Sequence, residues 1–320
     1  MNASRELPGL THILCCWTLL SAPAEAESFF ATTASAFKSS NIEFQRTKTN
    51  APFLPLAFAD STHYGDVEVT TETGENIEYD VHQFSAMGVL PILLGENDAL
   101  FGGLYASQSA FDFADDAADD FDVLSVGVPI GWLHQTSENW QAAAFLMPLG
   151  HKADSDNADW SWQYLGGAFA RYIQSDELWW AFGAYMDVGS GDDLFLPYLG
   201  ASWAINEAWT LSAIMPWPAL IYSPSKQWMM RLGAAPSGAS WALDTSDDTV
   251  SLDIDAWDFG LGVEYRFAGD FWVSAEVGVS GLRGLSYTDG SLEQPDLEFS
   301  SNSYVSFSVK FRPSGANTGR

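Results

Sequence analysis

The feature that most restricts the fold is a hairpin-like stretch at residues 257–283, WDFGLGVEYRFAGDFWVSAEVGVSGLR. Trp257, Phe259, Leu261, Val263, Tyr265 and Phe267 alternate with Asp258, Gly260, Gly262, Glu264 and Arg266. An unbroken period of two puts apolar and polar side chains on opposite faces of a β-strand. After Ala268-Gly269-Asp270, a second run sets Phe271, Val273, Ala275, Val277 and Val279 against Ser274, Glu276, Gly278 and Ser280. A soluble sandwich also alternates, but these runs reach the ~9–11 residues that a strand needs to cross a bilayer, with aromatics at the ends of the apolar face. The expectation is a transmembrane hairpin, and a chain built this way should repeat it.

It does. Six short polar turns are each followed at once by an aromatic: GENDALF at Phe101, QTSENW at Trp140, QSDELWW at Trp179, INEAW at Trp209, SPSKQW at Trp228 and AGDFW at Trp272. Between them lie longer, acidic connections such as FADDAADD, HKADSDNAD and SYTDGSLEQPD. Short turns at one end and long loops at the other are the outer-membrane barrel arrangement. The aromatic after each turn is expected in the periplasmic girdle. Further strands read the same way: Trp160, Trp162 and Tyr164 share a face, as do Leu124, Val126, Val128, Ile130 and Trp132, and Val305, Phe307, Val309 and Phe311. An even count follows if both ends are periplasmic. The expected fold is therefore all-β, a transmembrane antiparallel up-and-down barrel of about 14 strands, with 12 as the alternative; residues 219–223 are the least certain strand. Pro91, Pro129, Pro148 and Pro197 conflict with a continuous ladder and are expected at bulges or strand ends.

Composition agrees. Charged residues are 17% and aromatics 14%, which suits neither a disordered chain nor an ordinary soluble domain. Beyond residue 30 no apolar run reaches the ~18 residues of a membrane helix. A net charge of −29 excludes a nucleic-acid partner, whose phosphates require a basic surface. Residues 1–26 read as a secretory signal peptide, with an apolar run at 10–22 and Ala24-Glu25-Ala26 at the cleavage site. Both cysteines, Cys15 and Cys16, lie in it, so disulfide and thiolate chemistry leave with the leader. Residues 27–60 are poorly patterned, a first strand or an inward-folded plug; 61–312 form the barrel and 313–320 a disordered tail.

The hairpin, the segment WTLSAIMPWPALIYSPSKQWMMRLGAAPSGASW and DLFLPYLGASWAINEAW together resemble an uncharacterised, domain-of-unknown-function family of Gram-negative outer-membrane β-barrels. The resemblance covers roughly residues 77–311. It implies fold and location, the cell outer membrane with its lipid as partner, and no activity. One departure is the end of the chain, where Phe311 is followed by RPSGANTGR instead of closing on an aromatic.

Candidate chemistry is sparse. Past the leader the histidines are His63, His82, His134 and His151. His82 and Ser85 differ by an odd offset and fall on opposite strand faces. His151 with Asp154, Asp156 and Asp159 suggests a hydrolase site at the outer rim; the competing reading is a solvated loop histidine. The acidic loops lack the ordered spacing of a calcium loop, which leaves loose divalent cations or plain solubility. No cofactor or metal site is expected. Charge facing lipid is costly near the midplane, so Arg171, Arg231, Glu264, Arg266, Glu276, Lys310 and Arg312 are expected to line the lumen. There they either form a selectivity surface or pair into salt bridges that fill it. The expected function is non-enzymatic: a passive pore for small polar solutes or a structural barrel. The alternatives are a hydrolase near His151 and a secreted soluble β-propeller or sugar-binding β-protein.

Overall fold

A computed structural model describes residues 42, 48–70, 76–93, 95–114, 120–154, 160–189, 193–237, 239–244, 249–289, 292–293 and 302–312. The leader at 1–26, residues 27–41 and 43–47 of the poorly patterned segment, the tail at 313–320 and the centres of the acidic loops lie outside the described residues. In chain order the strands are β1 Ala57–Thr70, β2 Asn76–Leu93, β3 Asp98–Phe113, β4 Phe121–Gly127, β5 Ile130–Gln135 and β6 Trp140–Ala153. They continue as β7 Ser161–Ile173, β8 Leu178–Val188, β9 Leu194–Ala204, β10 Trp209–Met215, β11 Ala219–Ser225 and β12 Trp228–Pro236. The last are β13 Ala239–Asp244, β14 Thr249–Ala268, β15 Phe271–Asp289, β16 Leu292–Glu293 and β17 Asn302–Phe311.

All belong to one antiparallel sheet. β4 and β5 are the halves of one stave, as are β12 and β13, which pair in succession along β14. β16 only caps the outer end of β15. Fourteen staves remain, and β1 pairs with β17 from Ala57↔Phe311 to Gly65↔Ser303, so the sheet closes on itself. A closed ring of fourteen long staves rules out the propeller, which needs separate short-stranded blades.

The four prolines singled out from the sequence all sit inside this ring. At Pro129 the ladder breaks between β4 and β5, yet the register runs on through the gap, from Tyr105↔Gly127 to Gly102↔Ile130. Backbone bonds continue around the missing donor: Gly103 N donates to Pro129 O at 3.0 Å and Val128 N to Pro148 O at 3.1 Å. No bulge is needed. Pro148 and Pro197 likewise stay in register within β6 and β9, paired with Tyr164 and Ala184, contrary to the expected bulges.

All six predicted short turns fall at one end. The outward face carries the apolar band, with Leu104 71%, Phe307 60% and Leu232 58% exposed, which marks them as lipid-facing in a membrane protein. At the turn end Trp140, Trp209 and Trp228 point outward and pack, with tilted rings, beside Tyr172, Tyr222 and Tyr265. The other three girdle expectations are corrected. Trp179 and Trp272 are 6% and 3% exposed and Phe101 packs inward, while Trp180, Phe271 and Trp132 take the outer positions. Neighbouring residues of a strand point to opposite faces, so one residue of difference in turn length reverses which aromatic meets lipid.

The short-turn mouth is crossed by a strap, residues 48–56. Lys48 pairs with Glu177 in the β7–β8 turn. Thr49 Oγ1 meets Thr210 Oγ1 at 3.2 Å and Asn50 N donates to Glu207 O at 2.8 Å, both near the β9–β10 turn. On the opposite side Arg312 Nη1 donates to Phe53 O at 2.5 Å. Upstream, Ile42 is wholly buried against Ala99, Phe101 and Leu133. β1 then starts at Ala57, within a Pro-rich stretch whose alternation is not visible in sequence.

Two outcomes are expected. Leu104→Arg places a charge on the lipid face and should cost about 2–4 kcal/mol, measured by equilibrium unfolding from lipid vesicles, with Leu104→Ala as the control. The hydrogen bond from Lys48, followed by that from the Ser175 hydroxyl, holds the Glu177 carboxyl below its usual range. A lowered folded pKa makes the anchor present at neutral pH and lost as pH falls through that value. Hydrogen exchange at residues 48–56 should therefore rise on acidification, and Glu177→Gln should show the faster exchange already at pH 7.

Candidate lumen site

The register that turns apolar residues outward brings a polar set onto one inner wall, formed by β1, β12, β14, β15 and β17. Arg231 lies opposite Gly262, which lies opposite Glu276, which lies opposite Ser306, which lies opposite Thr62. One step along, Met229, Glu264, Ser274, Ser308 and Asp60 form the next row. Along these rows and the positions flanking them runs a cavity of about 240 Å³, lined by Asp60, Tyr64, Arg231, Asp258, Glu276 and Lys310 with several hydroxyls.

Two glycines of β14 make room for the Glu276 side chain: Gly262, between Arg231 and Glu276, and Gly260, opposite Gly278. A Cβ on Gly260 would overlap the Tyr304 hydroxyl and Glu276 Oε1, and one on Gly262 would sit 2.9 Å from Glu276 Oε2. The G-L-G of β14 thus lets the Glu276 side chain lie flat along the wall, where it accepts from Tyr304 Oη at 2.6 Å. Asp60 accepts from Thr62 at 3.0 Å and Ser306 at 2.6 Å, and Asp258 from Tyr64 at 2.8 Å.

The seven charged residues singled out from sequence divide into groups. Glu264, 6% exposed, takes Lys310 Nζ at 2.6 Å and Arg312 Nη2 at 2.9 Å, a compact triad near the short-turn mouth. Arg266 is tied to its own turn through Asp270 at 3.0 Å. Arg171 lies on the far wall, donating to Gln141 and lying 3.9 Å over the Trp179 ring. Arg231 and Glu276 face the cavity. Asp60, Tyr64 and Tyr304 are cavity residues that the sequence reasoning did not pick out. Tyr304 was reachable, since it precedes Ser306 by two on the polar face of the final strand. Asp60 and Tyr64 sit in the β1 stretch with no clear alternation.

The opposite wall is aromatic. Phe145 stacks on Phe169 at 5.9 Å, Phe169 meets Tyr198 edge-on at 4.6 Å, and Trp217, from the β10–β11 connection, closes on Tyr185 and Tyr198 at about 6 Å. Toward the long-loop end, Val67, Tyr79, Val81, Phe111 and Val123 form an apolar cluster.

His151 differs from its expected place. It does not join rim carboxylates: it points inward, 4% exposed, while Asp154 is exposed and Asp156 and Asp159 lie outside the described residues. Ser125 Oγ is 2.7 Å from its Nδ1, Gln163 Oε1 is 2.8 Å from its Nε2, and Gln163 Nε2 donates to Asp187 at 2.6 Å. The last bond fixes the direction of the others. With the Gln163 amide donating to a carboxylate, its oxygen accepts from Nε2–H, Nδ1 is a bare acceptor, and Ser125 donates. The line braces β4, β6, β7 and β8 from inside. His82 is outward, stacked on His63 at 4.3 Å, with Ser85 inward, and His134 pairs with Asp98 at 2.8 Å. Among the described residues no group of His, Cys, Asp and Glu is placed to hold a metal ion.

Comparisons with known proteins follow this geometry. A family model described as a domain of unknown function (DUF6268) matches residues 63–312. No curated protein matches the sequence. Among solved structures, the COG4313 outer membrane channel from Pseudomonas putida F1 is similar at 10% identity over 81% of this chain and 97% of that one, with a TM-score of 0.41. The P. putida toluene transporter TodX is similar at 11% identity, 81% and 90% coverage and a TM-score of 0.39. The translocator domain of the autotransporter NalP from Neisseria meningitidis gives 12% identity, 90% and 96% coverage and a TM-score of 0.38. The family match runs from within β1 to the residue after β17 and so takes in the closed barrel: the chain belongs to the DUF6268 family, as an outer-membrane β-barrel protein.

Proposed function

We propose that the protein is a narrow passive channel for small polar solutes. The observation that carries this reading is the cavity of about 240 Å³ inside the ring, lined by Asp60, Arg231, Asp258, Glu276 and Lys310. A barrel with a purely structural role gains nothing from an unfilled polar space, because unpaired buried polar groups cost stability. The strap at residues 48–56 and the apolar cluster around Phe111 narrow the path on either side of it. Reconstituted in planar bilayers, the full chain should give small, steady conductance steps. Removal of residues 48–55 should enlarge them, and Arg231→Ala should change ion selectivity. Silence in the native and the deleted chain alike would leave only a structural barrel.

One contact favours a second reading, a hydrolase. Ser125 donating to His151, which is oriented in turn by Gln163 and Asp187, has the order of a nucleophile, base and orienting group, although the base nitrogen is Nδ1. Turnover of short acyl esters by the purified protein, abolished in both Ser125→Ala and His151→Ala, would establish it. The expected result is no turnover above background, in keeping with the channel.

A further inference from the structure

The charge pattern around the cavity points to a kind of solute. We infer that the lumen selects small monovalent organic cations of the alkylammonium type over anions, an inference that rests on the channel reading. Three carboxylates line the cavity, Asp60, Asp258 and Glu276, against two cations, Arg231 and Lys310. One of those cations is already committed: Lys310 Nζ lies 2.6 Å from Glu264. The second, Arg231, makes no ion pair among the described residues, its Nη2 donating at 3.3 Å to the Ala234 carbonyl.

The carboxylates are held in a different way. Their partners are hydroxyls: Thr62 and Ser306 for Asp60, Tyr64 for Asp258, Tyr304 for Glu276. A hydroxyl positions a carboxylate and leaves its charge uncompensated. Asp258 Oδ1 is also buried with no hydrogen-bond partner. The wall therefore presents held but unneutralised negative charge on three separate staves, β1, β14 and β15. Such a spread does not converge on one point, as a divalent metal would require. It suits a solute with its positive charge at one end and an apolar remainder. The rings of Tyr64 and Tyr304, 5.5 Å apart, offer π faces beside the same carboxylates. An anion entering the cavity would meet the three carboxylates with Arg231 as its one unpaired counter-charge.

The test is ion selectivity of the full chain in planar bilayers under a tenfold KCl gradient, followed by replacement of potassium with ethylammonium on one side. The expected reversal potential has the sign of a cation-preferring pore, and ethylammonium carries current. Glu276→Gln, which keeps an acceptor for Tyr304, and Asp258→Asn, on a different stave, should each lower the cation-to-chloride permeability ratio by about fivefold, the effect of one charge at ~4 Å in water. Arg231→Ala should raise it. A conducting native channel that prefers chloride, or a ratio unmoved by both carboxylate substitutions, overturns the inference and leaves the channel standing. Absence of conductance in every version removes the channel, and the inference with it.

Discussion

In the hydrocarbon of a bilayer a free backbone N–H or C=O finds no water, at a cost of several kcal/mol per group. The ladder between β1 and β17 meets that constraint, because it pairs the first and last staves and leaves no edge. Everything else in the protein depends on this closure. It dictates the alternation of the staves, since one face must then be apolar and the other is enclosed. It also explains how prolines are tolerated: at Pro129 the register continues across the gap, and carbonyls of Pro129 and Pro148 still accept from Gly103 and Val128.

Closure creates an interior with two unlike walls. On β1, β12, β14, β15 and β17 the inner face is charged and hydroxyl-rich; on β6 to β9 it carries an aromatic cluster beside the polar line of His151, Gln163 and Asp187. Part of the charge in this enclosed space is paired, as in the Glu264 triad with Lys310 and Arg312, and that pairing sits at the mouth, where the strap also docks through Phe53. Deeper in, glycines substitute for partners. Gly260 and Gly262 clear the space in which Glu276 and Tyr304 lie. The result is a wall whose positive charges are mostly tied up and whose cavity carboxylates, Asp60, Asp258 and Glu276, are held by hydroxyls.

Much of this architecture was legible in advance. The period of two around Trp257 and the six turns identified the staves and their ends, because lipid enforces apolar residues at every second position over a long span. Failures came where a single residue of register decides the outcome. Trp179 and Trp272 follow turns just as Trp140 does, yet they face inward. The start of β1 escaped notice because Ala57, Ala59 and Ser61 are too small to mark an apolar face. Consequently Asp60 and Tyr64, both cavity residues, went unseen. His151 was placed with the acidic loop that follows it in sequence, whereas its strand parity turns it toward Ser125 and Gln163.

By itself, then, the sequence determined an outer-membrane barrel, its two ends and the alternation of its staves, because those follow from local periodicity and from a solvent uniform around the ring. What the interior does was decided only by the tertiary structure. Lumen contacts join residues far apart in the chain, such as Asp60 with Ser306 and Tyr64 with Asp258. Which inner-face side chains meet depends on how the staves are staggered and on where the ring closes. Neither is written in any one strand; both are set when β17 returns to β1.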